Sequence, residues 1–461
     1  MGVRIILLEV PAERRIWLGL RVVGGLKKLA WDPATAAHIT PDGAIGLSYD
    51  DLIEHLAATH ELIEFSYDWR RPVEDEARRL ATVVDDALAR RSASGQPVRL
   101  LAHSMGGLVA RTLQLEAPDT WRRLMNHDGA RLLMLGTPNA GSWAPMQVLS
   151  GDDTFGNTLV AFGGLFDDAG TRRIMAGMPG FIQLQAALTD PTLKLDRAEE
   201  WQRLADEDLR RLKERSRWHA DERQLRVYAW SAPPQAVLDQ AVALRRRLDQ
   251  QAAGLGADAQ KMLLVVGHDQ FTPAGYRVGD EGLEYLDAPD GDGRVPLASA
   301  LLPGVRTWRC EATHGKLADQ ADAFAAYDEL LALGDTTLLP RLDSTALRGA
   351  AGTAEPQTNR TQASSFPRPP ARPPAARSKS AFARSPRHSY ERSPPSTASP
   401  SPACRGAGSP VASPRRTSCR RWRTAPPRPH RLVRGVAPVR RALHRCPPCT
   451  HRGGSASTRP R

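Results

Sequence analysis

Three side chains far apart along the 461-residue chain have the chemistry of a base-activated nucleophile: a serine, a histidine and an aspartate. Ser104 stands in "LLAHSMGGLVAR" (100–111), within Ala102-His103-Ser104-Met105-Gly106. This is the pattern G-x-S-x-G with alanine in place of the first glycine, still small enough for a tight bend. A serine between a strand and a helix in that pattern projects its oxygen at the carboxyl edge of a sheet, over the positive end of the helix. A hydroxyl is a poor nucleophile until a base removes its proton, so a histidine and an orienting carboxylate are expected downstream, in the order Ser, Asp, His. The N–H of Met105, the residue after the serine, is the candidate oxyanion donor.

Four histidines of the first 340 residues follow Ser104: His127 before a strand, His219 in a charged stretch, His268 at the end of a strand and His314 in "EATHGKLAD" (311–319). His314 is the candidate base, because a loop between the last strand and the last helix lets an imidazole reach back to the nucleophile. The acid is expected just before that strand, in "LDAPDGDGRVP" (286–296), which offers Asp287, Asp290 and Asp292. Glycines on both sides favour Asp292, since they let the loop turn sharply; Asp290 is the alternative. The Asp-x-Asp spacing has none of the later ligands of a calcium loop, and the chemistry calls for no metal and no cofactor.

These residues need a scaffold, and the surrounding periodicities supply one. "RIILLEV" (4–10), "LIEFSYDW" (62–69), "VRLLA" (98–102) and "RLLMLG" (131–136) read as buried strands. Apolar residues at Ala77, Leu80, Val84, Ala87 and Leu88 give a helix over 74–91, and a mostly buried helix runs from Met105 to Leu115. Strands alternating with helices imply an α/β fold, a mostly parallel sheet with helices on both faces. After Pro138 the alternation stops. Residues 139–225 read as an inserted cap or lid, with a Gly/Phe-rich stretch, "FGNTLVAFGGLF" (155–166), and a charged amphipathic helix from Ala198. Strand signals return in "RVYAWSA" (226–232), "KMLLVVG" (261–267) and "VRTWRCEA" (305–312), and a closing helix is expected from about Lys316 to Leu333.

The chain divides by composition near residue 340. Residues 341–461 hold 25 Lys+Arg against 3 Asp+Glu, which leaves 38 and 48 of the totals of 63 and 51 for the first 340 residues. The net charge of +12 therefore describes neither part. The tail also has 20 of the 37 prolines and four of the five cysteines, without an apolar period. Such a segment cannot bury enough surface to offset its chain entropy, and a disordered Arg/Pro/Ser-rich tail is expected. All its basic residues but Lys379 are arginine, the bias that GC-rich codons give when read out of frame. Blocks of like charge are usually solvated, so no specific nucleic-acid partner is expected; an acidic partner for the tail belongs to the alternative in which the body is a catalytically impaired scaffold. His444, Cys446, Cys449 and His451 lie close together, but one C-x-x-C without a second pair is no zinc framework. Cys310 alone in the body, with no signal peptide and no long apolar stretch, fits a reducing compartment such as the cytoplasm.

"FSYDWRRP" (65–72), "AHSMGGLVAR" (102–111), "LGTPNAGS" (135–142), "GDGRVP" (291–296) and "HGKLAD" (314–319) occur in this order, and together they resemble the lecithin:cholesterol acyltransferase family in its bacterial esterase- and lipase-like branch. The resemblance covers most of residues 15–335, including "IWLGL" (16–20). It implies an α/β-hydrolase fold and acyl transfer from a lipid ester, through an acyl-serine, to an alcohol or to water. It implies nucleophile, acid and base at Ser104, Asp292 and His314. Asp68 and Arg70 are expected to pair and hold a pocket wall, and Thr137 to line the acyl pocket. Phe162 and Phe166, with Phe155, Leu159 and Leu165, are expected to form a lid that meets lipid, with transient contact at a membrane surface. The sequence departs from the family in the loop after the first strand, which usually supplies the second oxyanion donor from small residues. Here that loop is "LLEVPAERR" (7–15): Pro11 has no N–H to give, and Glu9 brings a negative charge.

Overall fold

The computed structural model of the chain describes residues 3–9, 30–32, 46–152, 168–215, 230–280 and 282–342. The strands among these described residues are β1 (Val3–Glu9), β2 (His60–Ser66), β3 (Val98–His103), β4 (Leu132–Leu135), β5 (Met262–Val266), β6 (Pro273–Gly279), β7 (Gly282–Asp287) and β8 (Arg306–Arg309). The helices are α1 (Gly46–Ala57), α2 (Val73–Arg91), α3 (Met105–Glu116), α4 (Pro118–Met125), α5 (Ala144–Ser150), α6 (Asp168–Ala176), α7 (Pro179–Ile182), α8 (Ala198–Arg215), α9 (Gln235–Ala253), α10 (Leu297–Ala300) and α11 (Phe324–Leu333). Six strands make one parallel sheet in the order β2-β1-β3-β4-β5-β8, and β6 and β7 form a separate antiparallel hairpin. The fold is α/β, with a parallel sheet between two layers of helices.

The central strands read as unbroken apolar runs because both faces of the sheet are covered. Leu100, Leu132, Met134, Leu264 and Val266 point into one core, packed by Leu80 and Val84 of α2, Leu108 of α3 and Leu248 of α9. Their neighbours Leu101, Leu133, Leu135, Leu263 and Val265 point into the other, packed by Leu52 and Leu56 of α1 and by Tyr327 and Leu330 of α11. The period of two along each strand thus feeds two cores at once. A third cluster lies outside the sheet: Met146 and Leu149 of α5, Phe181 of α7, Trp201 and Leu204 of α8, Leu238 of α9 and Leu283 and Tyr285 of β7. The inserted elements therefore have an apolar core of their own, which draws in α9 and the β6–β7 hairpin beyond residue 225.

The loop "DWRRPV" joins that cluster to the sheet. Asp68 and Arg70, both buried, pair side by side, Arg70 Nε to Asp68 Oδ1 at 2.8 Å and Nη2 to Oδ2 at 2.6 Å. The Arg70 carbonyl accepts from the Gly180 N–H, and Gln183 accepts from the Val73 N–H while donating to Glu74. A Cβ on Gly180 would come within 2.1 Å of the Arg71 carbonyl oxygen, so only glycine lets α7 approach this turn.

Two expectations need correction. The closing helix begins at Phe324, not near Lys316: residues His314–Asp319 and Ala321–Ala323 are tight 3-10 turns, broken at Gln320 by its φ of −91° and ψ of 89°. "RVYAWSA" gives no strand over Trp230–Ala232, where Pro233 and Pro234 end any ladder and lead into α9; residues 226–229 lie outside the described residues. At the far end, the Arg309 N–H donates to Pro340 and the Leu342 N–H to Thr307, so residues 340–342 still belong to the packed body. The sequence from 343 onward, with His444, Cys446, Cys449 and His451, lies outside the described residues. No helix among the described residues is long and apolar enough to cross a membrane.

Candidate active site

The bend after β3 carries Ser104 at φ 54° and ψ −126°, a conformation that a residue with a Cβ adopts only under strain. Its N–H donates to Leu135 of β4, and the next residue opens α3, whose first-turn N–H groups have no acceptors within the helix. Met105, the expected oxyanion donor, is the first residue of that helix. Of the loop expected to give the second donor, residues 7–9 end β1, and residues 10–15 lie outside the described residues.

Three loops at the carboxyl ends of the parallel strands meet here. His314 Nε2 lies 2.8 Å from Ser104 Oγ, and His314 Nδ1 lies 2.8 Å from Asp292 Oδ2. An ionised carboxylate only accepts, so the ring proton sits on Nδ1 and the Nε2 lone pair faces the serine hydroxyl. Asp292 Oδ1 accepts from the Val295 N–H at 2.7 Å and the Arg294 N–H at 3.0 Å, which occupies the oxygen not used by His314. Burial opposes ionisation of Asp292, but His314 beside it and these hydrogen bonds outweigh burial and hold its pKa below the ordinary carboxylate value. The backbone adds a further tie, from the His314 N–H to the Asp292 carbonyl at 2.7 Å.

The alternative acid is committed elsewhere. Asp290 pairs with Arg309 of β8, and its other oxygen lies 3.7 Å from His268. Of the other candidate bases, His127 bonds to the Gly95 carbonyl, and His219 lies outside the described residues.

Glycines and small contacts keep these loops close. Gly136, at φ 56°, packs against the Asp–His couple; a Cβ there would lie 3.0 Å from Asp292 Oδ2 and 3.1 Å from His314 Nδ1. Thr137, expected to line the acyl pocket, is fully buried against α3, its side chain filling the space left by the missing Cβ of Gly107. A Cβ on Gly107 would fall 2.0 Å from Thr137 Oγ1 and 2.5 Å from its Cγ2. Gly107→Ala is therefore expected to destabilise the protein by about 2 kcal/mol, the cost of overpacking a closed core. Thermal unfolding should show a loss of roughly 2–4 °C for each kcal/mol, recovered when Thr137→Ala is combined with it. Phe162 and Phe166, like Phe155, Leu159 and Leu165, lie outside the described residues.

Sequence reasoning missed the function of two further residues in these motifs. Arg111, fully buried at the end of "AHSMGGLVAR", donates to Gln251 and to the Leu248 carbonyl of α9, and to Asn139 Oδ1 at 3.0 Å. Asn139 in turn donates to the Ala300 carbonyl. Burial, with Arg245 beside it, lowers the Arg111 pKa to about 9, and these neutral acceptors solvate the guanidinium in place of water. The signal available was a charged residue on the apolar face of α3. The same residues lock α3, α9 and the loop after β4 together behind the serine.

Residues 20–163 match the family model described as lecithin:cholesterol acyltransferase. Phosphatidylcholine-sterol acyltransferase of Rattus norvegicus is 34% identical over 93 residues, 20% of this chain and 20% of that protein. The match thus spans about a fifth of the curated relative's length. Among solved structures, the Tle4–Tli4 complex is similar at a TM-score of 0.39 and 14% identity, covering 65% of this chain and 72% of the other. The lipase BlEst2 of Bacillus licheniformis is similar at a TM-score of 0.35 and 12% identity, covering 72% of this chain and 92% of the other. The family match embraces the serine bend and its strand, so over residues 20–163 the chain is similar to the lecithin:cholesterol acyltransferase family, and these residues stand in an α/β fold with a parallel sheet.

Proposed function

We propose that the protein is a serine-dependent acyl-ester hydrolase or O-acyltransferase that acts on lipid esters through an acyl-serine intermediate. The observation that carries this reading is the continuous hydrogen-bonded path from Ser104 through His314 to Asp292, with 2.8 Å at each step. Ser104 Oγ attacks the ester carbonyl carbon as its proton passes to His314 Nε2. Asp292 holds the Nδ1–H of the resulting imidazolium, and the Met105 N–H receives the developing oxyanion. The carbon–oxygen bond to the alcohol then breaks, and the leaving alkoxide takes the proton from His314 Nε2. Water or a second alcohol repeats the sequence on the acyl-serine, which yields a free acid or a new ester. The lipid nature of the ester is supported by the family match and by the matched relative, whose name specifies a phosphatidylcholine donor and a sterol acceptor.

A fluorophosphonate probe tests the reading directly. The wild-type chain should take up one adduct, mapped by mass spectrometry to the peptide containing Ser104. A phospholipid donor should then release fatty acid, and release an ester when an alcohol is added if the enzyme is a transferase. No labelling of folded protein would overturn the enzyme reading in favour of a catalytically impaired scaffold.

A further inference from the structure

His103 is the last residue of β3 and the neighbour of the nucleophile, yet the mechanism above gives it no part. It is buried, and its ring lies 5.1 Å from the ring of His314, centroid to centroid. His103 Nε2 is 2.9 Å from the His314 carbonyl oxygen, and His103 Nδ1 is 2.7 Å from the hydroxyl of Tyr49 on α1. A carbonyl only accepts, so Nε2 carries the proton. The Nδ1 lone pair then accepts from the Tyr49 O–H. The His314 peptide is thereby held on both sides: its N–H donates to the Asp292 carbonyl, and its C=O accepts from His103.

We infer that His103 is a positioning residue: an imidazole locked as the Nε2–H tautomer between Tyr49 and the His314 carbonyl, which keeps the His314 ring aligned between Ser104 and Asp292. The anchor of the base ends β3 and the attacking oxygen stands on the bend directly after it, so the distance between them is set by adjacent residues of the chain. The groups that face the ring are Tyr49 from α1, His314 from the turn after β8 and Asp292 from the loop before it. Burial, then the neighbouring His314, lower the His103 pKa to about 3. A neutral ring is what the reaction requires here, since His314 becomes a cation during turnover and a second cation about 5 Å away would oppose it.

The kinetic consequence rests on the acyl-ester reading; the tautomer does not. The test compares full-length wild type with His103→Leu and His103→Gln, using a soluble aryl ester. Leucine removes the anchor, and should lower kcat on the order of 10- to 100-fold through misplacement of the base, with KM little changed. It should also move the acid limb of kcat/KM to lower pH, because a loosened Asp292 stabilises the imidazolium less. Glutamine can offer an N–H to the His314 carbonyl and an oxygen to Tyr49, and should recover most of kcat and the position of the limb. Wild-type kcat with an unmoved limb in the leucine variant, or a glutamine variant no better than leucine, would overturn the inference. If the leucine variant does not fold, 15N NMR of the wild-type imidazoles decides. His103 should remain a neutral Nε2–H ring from about pH 8 to about pH 5, whereas titration near the ordinary histidine value of about 6.5 or an Nδ1–H tautomer would overturn it. A folded wild type without activity would refute the acyl-ester reading instead, and the NMR signature then decides the positioning of the ring by itself.

Discussion

Ser104→Ala should lower kcat for ester turnover by about 10⁶-fold, the scale on which loss of a serine nucleophile is felt when its base and acid remain. The variant should fold as the wild type does. Alanine tolerates the left-handed bend no worse than serine, and the one hydrogen bond lost is that to His314 Nε2, a group only partly removed from water. The strain at residue 104 is therefore unchanged while the chemistry is removed. Turnover of a soluble ester, measured beside a thermal unfolding curve, separates the two. A variant that retained more than a small fraction of wild-type kcat would mean that another group attacks the ester.

Asp292→Asn should be nearly as severe, with kcat reduced by about 10⁴-fold. The amide can turn its NH₂ toward His314 Nδ1, which would then have to accept and leave the proton on Nε2. In that tautomer the ring has no lone pair for the serine proton, although every heavy atom keeps its place. Asp290→Asn makes the necessary contrast. Asp290 is two residues away and bears the same side chain, but its partners are Arg309 and, at 3.7 Å, His268. Its loss should change kcat by no more than a few-fold. Comparison of the two variants at one pH, with kcat and KM determined separately, reads the assignment; a greater loss at Asp290 than at Asp292 would reverse it.

Much of the scaffold was legible because it obeys local rules. The runs around Leu100, Leu132 and Leu263 are apolar on both faces, as buried parallel strands must be, and the small residues around Ser104 announce the bend. The helix α9 is equally periodic, with Leu238, Ala241, Val242, Leu244 and Leu248 on one side, but it lies beyond the inserted region, in a stretch whose charges mask that period. Other features have no local signature. Nothing near Thr137 in the chain says that it fills the notch at Gly107, and nothing near Tyr49 says that it meets His103, 54 residues away. Flanking glycines alone separated Asp290 from Asp292 in the sequence, because the partner that distinguishes them, Arg309 beside Asp290, comes from across the loop. Sequence periodicity reports which face of an element is buried; it does not report which side chain of another element arrives there.

The outermost strand of the sheet, β8, does not end in open solvent. Its free edge is hydrogen-bonded by the short stretch Pro340–Leu342 running the opposite way, and the Arg341 guanidinium stacks over Trp308 at 5.7 Å. An exposed edge of this kind invites pairing with another molecule. A protein cut after Pro340, where composition alone would place the cut, would lose Arg341 and the bond from the Leu342 N–H to Thr307, and so uncover part of that edge to its neighbours. A boundary drawn after Leu342 keeps this edge covered while still discarding the arginine-rich remainder.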